Sequence, residues 1–220
     1  MNTSMDFLLW VRGPALDWAL TIFVIGVLLR VLEIFILGRA PNYAEARQGE
    51  FGPGMRTVFR RFLTDPGTLK RATFNVVVGY IWHIGFLVVL FLFVPHIELF
   101  GSAFGFTWAG LPNPVVDSVT GVTIVALIAV LVHRLRHPVM RHISTPEDYL
   151  VWLLTLLPLI TGYLAYHRLV NPYPLILGVH ILSVEAFLIV FPFTKLMHAI
   201  TAFFARWFNG ATFGRKGVES

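Results

Sequence analysis

The sequence predicts an all-α integral membrane protein, a bundle of five transmembrane helices in a single domain over residues 1–220. Of the 220 residues, 56% are apolar and only 13% are charged, and the mean hydropathy is +0.73. Several apolar runs reach the roughly 20 residues that a helix needs to cross a bilayer. We therefore expect a multi-pass protein whose main partner is the lipid bilayer.

Five apolar runs are the predicted spans, and one amphipathic segment lies between them. The spans are expected at about 16–37, 74–95, 115–133, 148–167 and 174–204. Residues 54–64 alternate apolar side chains with arginines at helical spacing, which predicts a helix lying on the membrane surface. The run Ser144-Thr145-Pro146-Glu147 resembles a capping box that opens the fourth helix.

The basic residues predict the orientation of the spans. The loops after spans one and three hold seven and three Lys/Arg, whereas those after spans two and four hold none and one. Because Lys/Arg-rich loops stay on the cytoplasmic side, the N-terminus is expected outside and the C-terminus in the cytoplasm. The net charge of +5 is therefore a topology signal, and binding to nucleic acid is not expected.

The absence of cysteine limits the redox chemistry that this chain can support. A chain with no cysteine cannot hold a disulfide, an iron–sulfur cluster ligated by cysteine or a covalently attached c-type haem. Histidine is then the obvious ligand for an iron-bearing cofactor. Ionisable groups inside a membrane span are costly, so histidines there favour a functional interpretation.

Four histidines match in pairs by their depth in the membrane. His83 and His198 fall in the inner half of their spans, and His96 and His180 fall at the outer ends. The eighteen residues from His180 to His198 make five helical turns, which predicts that both point from one face of one helix. We expect each pair to hold the iron of one b-type haem through two neutral imidazoles. The alternative is that these histidines only form hydrogen bonds between helices.

The fourth ligand is the least certain of the set. His96 lies thirteen residues beyond His83, which is off the same face of an ideal helix unless Pro95 changes the local path. His167 also lies at the outer side and is an alternative to His96. Arg30 and Arg134 are candidates to pair with haem propionates, and Arg30 can also pair with Glu33 three residues later.

Two motifs carry a resemblance to a known family. They are Trp82-His83-Ile84-Gly85 and the run from His180 to His198 that closes with Phe191-Pro192-Phe193-Thr194-Lys195-Leu196-Met197-His198. With five spans and an outside N-terminus, the chain resembles the gamma (membrane cytochrome b) subunit of respiratory nitrate reductase. It also resembles relatives in heterodisulfide-reductase-like and sulfite-reductase-associated membrane complexes. The resemblance covers nearly the whole chain.

This resemblance implies a dihaem cytochrome b of a prokaryotic cytoplasmic (inner) membrane. Such a subunit would be the quinone-reactive part of an oxidoreductase, oxidising quinol near the outer haem and passing electrons through the inner haem to a cytoplasmic iron–sulfur partner. His83 and His198 match the family's inner ligands and His180 matches an outer one. The family's second ligand on this helix comes sooner than His96, where this chain has Phe93, so one haem instead of two is an open alternative.

Quinol oxidation also needs a proton acceptor near the outer surface. The ionisable candidates are His96, Glu98, Asp117 and His167. The surface helix, the loop after span three and the tail from Arg206 to Ser220 are the predicted docking surface for the cytoplasmic partner. Two alternative functions stay open: a haem b anchor of a formate dehydrogenase or hydrogenase type, and a haem-free scaffold or transporter.

Overall fold

A computed structural model describes residues 3–37, 43 and 45–218. Of the residues described, 83% are helical and none is in a strand. Five helices are long and apolar enough to cross a membrane, which confirms the predicted all-α, five-span architecture; they are Thr3–Ile36, Thr73–Leu92, Asn113–Arg136, Pro146–Tyr166 and Tyr173–Phe193. Arg39, which contributes to the predicted orientation, and Ser220, the end of the predicted docking tail, lie outside the described residues.

Eleven α-helices make up the described chain. They are α1 (Thr3–Trp10), α2 (Leu16–Ile36), α3 (Phe51–Arg60), α4 (Pro66–Arg71), α5 (Thr73–Leu92), α6 (Val94–Phe104), α7 (Asn113–Arg136), α8 (Pro138–Ile143), α9 (Pro146–Tyr166), α10 (Tyr173–Val190) and α11 (His198–Arg215). A π-helical segment, Val11–Ala15, joins α1 to α2, and two 3₁₀ turns, Phe191–Phe193 and Lys195–Met197, join α10 to α11. The first span, Thr3–Ile36, therefore begins earlier than predicted, and it is kinked at Gly13, which has non-helical backbone angles next to Pro14.

The second span ends earlier than predicted. α5 stops at Leu92, Phe93 takes an extended conformation, and α6 starts at Val94. Pro95 lies in the first turn of α6, where its missing N–H would have no intrahelical partner. The predicted end at 95 is wrong, and His96 belongs to a separate helix from His83.

The predicted fifth span, a single helix over 174–204, is also wrong. α10 ends at Val190, and the chain then passes through two 3₁₀ turns separated by Thr194, which is extended. Pro192 has no N–H for the α-helical hydrogen bond, and its ring crowds the preceding turn, which favours the break observed here. His198 is the first residue of α11, and it does not share a helix face with His180.

The fourth span begins with a capping box that is shifted by one residue from the predicted one. Thr145, not Ser144, is the N-cap, and the carboxylate of Asp148 accepts from the Thr145 backbone N–H at 2.8 Å. Ser144 instead accepts a hydrogen bond from Arg134 at 2.8 Å. This arrangement links the end of α7 to the start of α9. The helix α9 begins at Pro146, two residues before the predicted start of the span.

The described chain divides into two compact units, and unit 1 consists of Met1–Ala19 and Ala72–Phe187. In unit 1, the helices α5, α7, α9 and α10 follow one another along the chain, and each runs antiparallel to the one before it. Phe74 at the start of α5 lies against His133 near the end of α7, and Trp152 of α9 donates to Leu127 O of α7 at 2.8 Å. The core forms where these helices meet; its buried residues are Leu127, Leu156 and Leu159, packed by Trp82, Phe86, Val89, Ile124, Trp152 and Ile160.

Unit 2 consists of Leu20–Arg71 and Leu188–Ser220, and its main contact is between α3 and α11. Small residues allow the two helices to approach closely: Gly54 faces Trp207, and Gly210 faces Thr57. Away from α11, α3 exposes Phe51 and Phe59 on one side and Arg56 and Arg60 on another. An amphipathic helix is therefore confirmed, although it covers Phe51–Arg60 where 54–64 was predicted.

Gly85 allows the close approach of α5 and α7, which gives a test of the packing in unit 1. A Cβ atom at Gly85 would overlap Thr123 Oγ1, whereas a Cβ at Gly79 on the same helix would meet nothing within 4 Å. We expect Gly85→Ala to lower the free energy of unfolding by about 1–3 kcal/mol through overpacking. Gly79→Ala, the matched control, should leave it unchanged or raise it by about 0.5–1 kcal/mol. Thermal unfolding in detergent, followed by circular dichroism, measures both; equal midpoints would contradict this account.

Candidate functional site

All four of the predicted haem-ligating histidines use Nδ1 for a hydrogen bond to an oxygen of the protein. The acceptors are Gly79 O for His83 (2.7 Å), Val89 O for His96 (2.9 Å), Thr161 Oγ1 for His180 (3.2 Å) and Lys195 O for His198 (2.6 Å). A carbonyl oxygen can only accept, so Nδ1 carries the proton and the lone pair of the neutral ring is on Nε2. This tautomer is the one in which a histidine binds a metal through Nε2 while its other nitrogen is anchored.

A buried polar cluster between α9 and α10 orients His180. The hydroxyl of Thr161 donates to Leu157 O at 2.7 Å, so its oxygen is the acceptor for His180 Nδ1–H. Ser183 lies 3.1 Å from the same oxygen and donates to the backbone oxygen of His180 at 2.6 Å. Thr161 and Ser183 are each only 8% exposed. The ring orientation is therefore set by the protein itself.

Gly162 provides the space that the His180 ring occupies. A Cβ atom at this position would lie 2.9 Å from Cε1 and 3.2 Å from Nδ1 of the imidazole. A larger residue would push the ring away from α9 or separate α9 from α10. Gly162 and Thr161 are adjacent, so one turn of α9 supplies both the space and the hydrogen-bond acceptor.

The break after α5 determines where His96 points. His96 lies in the first turn of α6, and its hydrogen bond to Val89 O links that turn to the end of α5. The ring of Phe93, the residue at the break, meets the His96 ring edge-on with centroids 5.2 Å apart. The direction of His96 thus depends on a local break that ideal helix spacing does not describe.

His96 and His180 face one another in unit 1. Their ring centroids are 6.3 Å apart and their planes are within 13° of parallel. A metal–nitrogen bond of about 2.0 Å and a ring radius of about 1.15 Å put two imidazoles on opposite sides of one ion about 6.3 Å apart. Two imidazoles in a direct hydrogen bond would have centroids only roughly 5 Å apart. The observed separation is the one that two axial ligands of a single iron would have.

Only two side chains are needed if a macrocycle completes the coordination. Across the part of the chain that the structure describes, no group of three or more His, Cys, Asp or Glu side chains could hold a metal ion. A haem iron takes four ligands from its porphyrin and needs one axial ligand on each side. The spacing of His96 and His180 fits this requirement.

His83 and His198 are described in separate units. His83, in unit 1, packs its ring on that of Trp82 with centroids 3.5 Å apart. His198, in unit 2, begins α11 directly after the second 3₁₀ turn. Both have the Nδ1-bonded tautomer described above. Their assignment to one inner haem stays a prediction from the sequence.

The two arginines predicted to contact haem propionates both have protein partners. Arg30 Nη1 donates to Glu33 at 2.8 Å, which confirms the predicted pairing, and Arg30 Nε donates to Pro192 O at 3.1 Å. Arg134 binds Ser144 at 2.8 Å and lies 3.7 Å from Asp148. These contacts link helices within each unit, and a role with propionates stays a prediction.

Of the four candidates for the proton acceptor, the structure brings two together. His167, at the end of α9, has its Nε2 2.7 Å from Asp117 Oδ1 in the second turn of α7. Both side chains are about one-third exposed, at 31% and 32%. The ring that faces His180 is that of His96, the preferred fourth ligand. Glu98 is exposed on α6. The sequence named both residues, but fifty positions separate them and no motif signals the contact.

Comparisons with known proteins give one relative. No protein-family profile and no solved structure matches the chain. A protein of Nitratidesulfovibrio vulgaris strain Hildenborough, described only as "Protein", is 29% identical over 207 residues, which cover 90% of this chain and 89% of the relative. The chain is thus similar to that bacterial protein along nearly its whole length.

Proposed function

We propose that this protein is a membrane cytochrome b, the electron-transfer subunit of a respiratory oxidoreductase complex. It carries electrons between the quinone pool and an iron–sulfur partner on the cytoplasmic side of a prokaryotic inner membrane. The observation that carries the proposal is the His96–His180 pair, whose separation of 6.3 Å fits two axial ligands of one haem. The topology, the partner and the quinone follow from the charge pattern and the family resemblance.

The residues would hold haem in two places. His96 and His180 would be the ligands of the outer haem, and the sequence predicts that His83 and His198 would hold the inner one. When bound, haem supplies one-electron transfer at a potential set by its axial ligands, their hydrogen bonds and burial. The protein's contribution is to hold each imidazole in one tautomer through its Nδ1 hydrogen bond.

Hydrogen bonds to Nδ1 also adjust the ligands electronically. An acceptor at Nδ1–H increases the basicity of Nε2, which strengthens its bond to a metal and favours the more oxidised state. His96 has a backbone carbonyl as its acceptor, whereas His180 has the hydroxyl of Thr161. Thr161 is therefore a side chain through which the potential of the outer haem can be changed by substitution.

The cytoplasmic partner is expected to meet the basic side of the membrane protein. α3 exposes Arg56 and Arg60, and the segment after α7 exposes Arg136 and Arg141. Charged surfaces of this kind direct an oppositely charged partner during encounter. An acidic iron–sulfur subunit fits this charge and receives electrons on the side where the inner haem is predicted.

The number of haems tests the proposal directly. We expect the purified protein to contain two haems b, with His96→Ala and His180→Ala each losing one and His83→Ala and His198→Ala losing the other. His142→Ala, an exposed histidine on α8, is the control and should keep both. A pyridine haemochrome assay with protein quantification gives the count, after any haem on partner subunits is measured separately. A haem-free protein, or one whose haem is indifferent to His96 and His180, would overturn the proposal.

Thr161 gives a second test, with a matched control on the same helix. Thr161→Val removes the acceptor of His180, so we expect haem affinity to fall about 10–100-fold and the midpoint potential of the outer haem to rise. Thr155 is equally buried, but its hydroxyl bonds Val151 O of its own helix, so Thr155→Val should change neither. Haem titration of the apoprotein and a redox titration measure the two quantities. If both variants have the same haem affinity and the same midpoint potential, Thr161 has no role in holding or adjusting the His180 ligand.

Orientation is testable because the chain has no cysteine, so an introduced one is unique. We expect Ser102→Cys, in the segment between spans two and three, to react with a membrane-impermeant maleimide on intact cells. Lys216→Cys, after α11, should react only once the membrane is permeabilised, because the C-terminus is cytoplasmic. The reverse labelling pattern would show that the basic loops lie outside, which would contradict a partner on the cytoplasmic side.

A further inference from the structure

We infer that His167 and Asp117 form the proton-accepting site for quinol oxidation, an inference that rests on the proposed function. His167 is the residue that contacts the quinol, and Asp117 positions and stabilises it. The two side chains meet at 2.7 Å at the same end of unit 1 as His96, and each is partly open to solvent. A site that passes protons from a membrane quinol to water needs this combination of contact and exposure.

The end of α9 fixes His167 in place. Leu169 N–H donates to Leu164 O at 3.0 Å and Arg168 N–H donates to Ala165 O at 3.2 Å. These two bonds, with Arg168 in the left-handed region at φ 52°, form a Schellman motif that closes the helix. His167 is the C-cap of this motif, so its backbone is held at both sides while its ring projects towards α7.

The hydrogen bond to Asp117 determines which nitrogen of His167 can accept a proton. A carboxylate accepts, so Nε2–H of His167 donates to Asp117 Oδ1 and the lone pair of the neutral ring is on Nδ1. No partner of Nδ1 is recorded among the described residues. When Nδ1 takes a proton, the ring becomes an imidazolium, and the adjacent carboxylate stabilises that charge, as in a catalytic Asp–His pair.

Aromatic side chains connect this pair to the haem-ligand pair. The ring of His167 contacts Tyr166 at 5.1 Å, Tyr166 contacts Phe93 at 5.3 Å, and Phe93 contacts His96 at 5.2 Å. Tyr163 packs on the other side of His167 at 4.4 Å. Aromatic side chains beside a small number of hydrogen-bonding groups are typical of the lining of small-molecule sites. A quinol ring against these side chains would lie between the proton acceptor and the electron acceptor.

Few charged or ionisable side chains are recorded around His167. On α7 it meets Asp117, and on its own helix it meets the phenols Tyr163 and Tyr166. The neighbouring Arg168 is directed over the ring of Tyr173, with 5.1 Å from its guanidinium carbon to the centroid. Asp117 is thus the charged partner recorded for His167 in the described part of the chain.

The step balances in protons and electrons. A hydroquinone loses two hydroxyl protons and two electrons to become a quinone. The O–H bond facing His167 would break with its proton going to Nδ1, and the electron would go to the one-electron cofactor that His96 and His180 would hold. His167 releases its proton to water at the exposed side, and the cofactor would pass its electron on towards the partner subunit. The second proton and electron can then leave the quinol by the same routes.

The test uses purified, haem-loaded protein and a short-chain naphthoquinol. We expect His167→Gln and Asp117→Asn to keep the haem content and the rate of haem reduction by dithionite. The rate of reduction by the quinol should fall by about 10²–10⁴-fold, the range lost with a general base. Ser118→Ala, next to Asp117 but bonded only to Pro114 O of its own helix, is the control and should change nothing.

Quinol binding gives a readout that is independent of turnover. With haem and quinol both kept reduced by dithionite, calorimetric titration should show about five- to tenfold weaker binding to His167→Gln, because one hydrogen bond is lost. Haem loss in His167→Gln would make the residue a haem ligand or a structural contact and overturn the inference. Unchanged quinol rates and binding with full haem would overturn it while leaving the proposed function intact. If the unsubstituted protein contains no haem, both this inference and the proposed function are wrong.

Discussion

The structure depends on the rule that a polar group inside an apolar helix bundle must find a hydrogen-bond partner within the protein. Four histidines meet this rule in the same way, each through an Nδ1–H bond to a nearby carbonyl or hydroxyl oxygen. In His96 and His180 this bond uses Nδ1, so the lone pair of the neutral ring is on Nε2. In the His96–His180 pair the two rings are held 6.3 Å apart, so neither satisfies the other directly. A metal ion between them is what this arrangement fits.

Breaks in the helices, and not their regular faces, position three of the residues discussed. His96 follows the extended Phe93, His198 follows the 3₁₀ turns around Thr194, and His167 caps the end of α9. A histidine in the middle of a helix has its direction fixed by the helix axis, whereas one beside a break can be aimed independently. Proline is the cause in the sequence at two of these places, because Pro95 and Pro192 each lack a backbone N–H.

The sequence predicts the number and type of elements well, because span length and apolar composition are properties of a single segment. It fails where a prediction needs a local conformation: ideal spacing puts His180 and His198 on one helix, but Pro192 ends that helix. The same limit shifts the capping box to Thr145 and Asp148. The spacing of residues within one segment cannot predict which distant segment that segment contacts. His96 and His180 could be matched by depth, whereas Asp117 and His167 could be named only as separate candidates, because nothing in either segment encodes the other.

Two histidine pairings at the same end of unit 1 show how the anchored nitrogen decides the chemistry of a ring. In His96 a neutral carbonyl holds Nδ1, which leaves Nε2 as a ligand and gives no charge to stabilise a protonated ring. In His167 a carboxylate holds Nε2, which leaves Nδ1 as the nitrogen that can accept a proton. Solvent exposure follows the same division, because the carboxylate pair is open to water and His180 is held by the buried Thr161. An electron acceptor and a proton acceptor therefore require different surroundings, and each of these histidines has the surroundings that its proposed role needs.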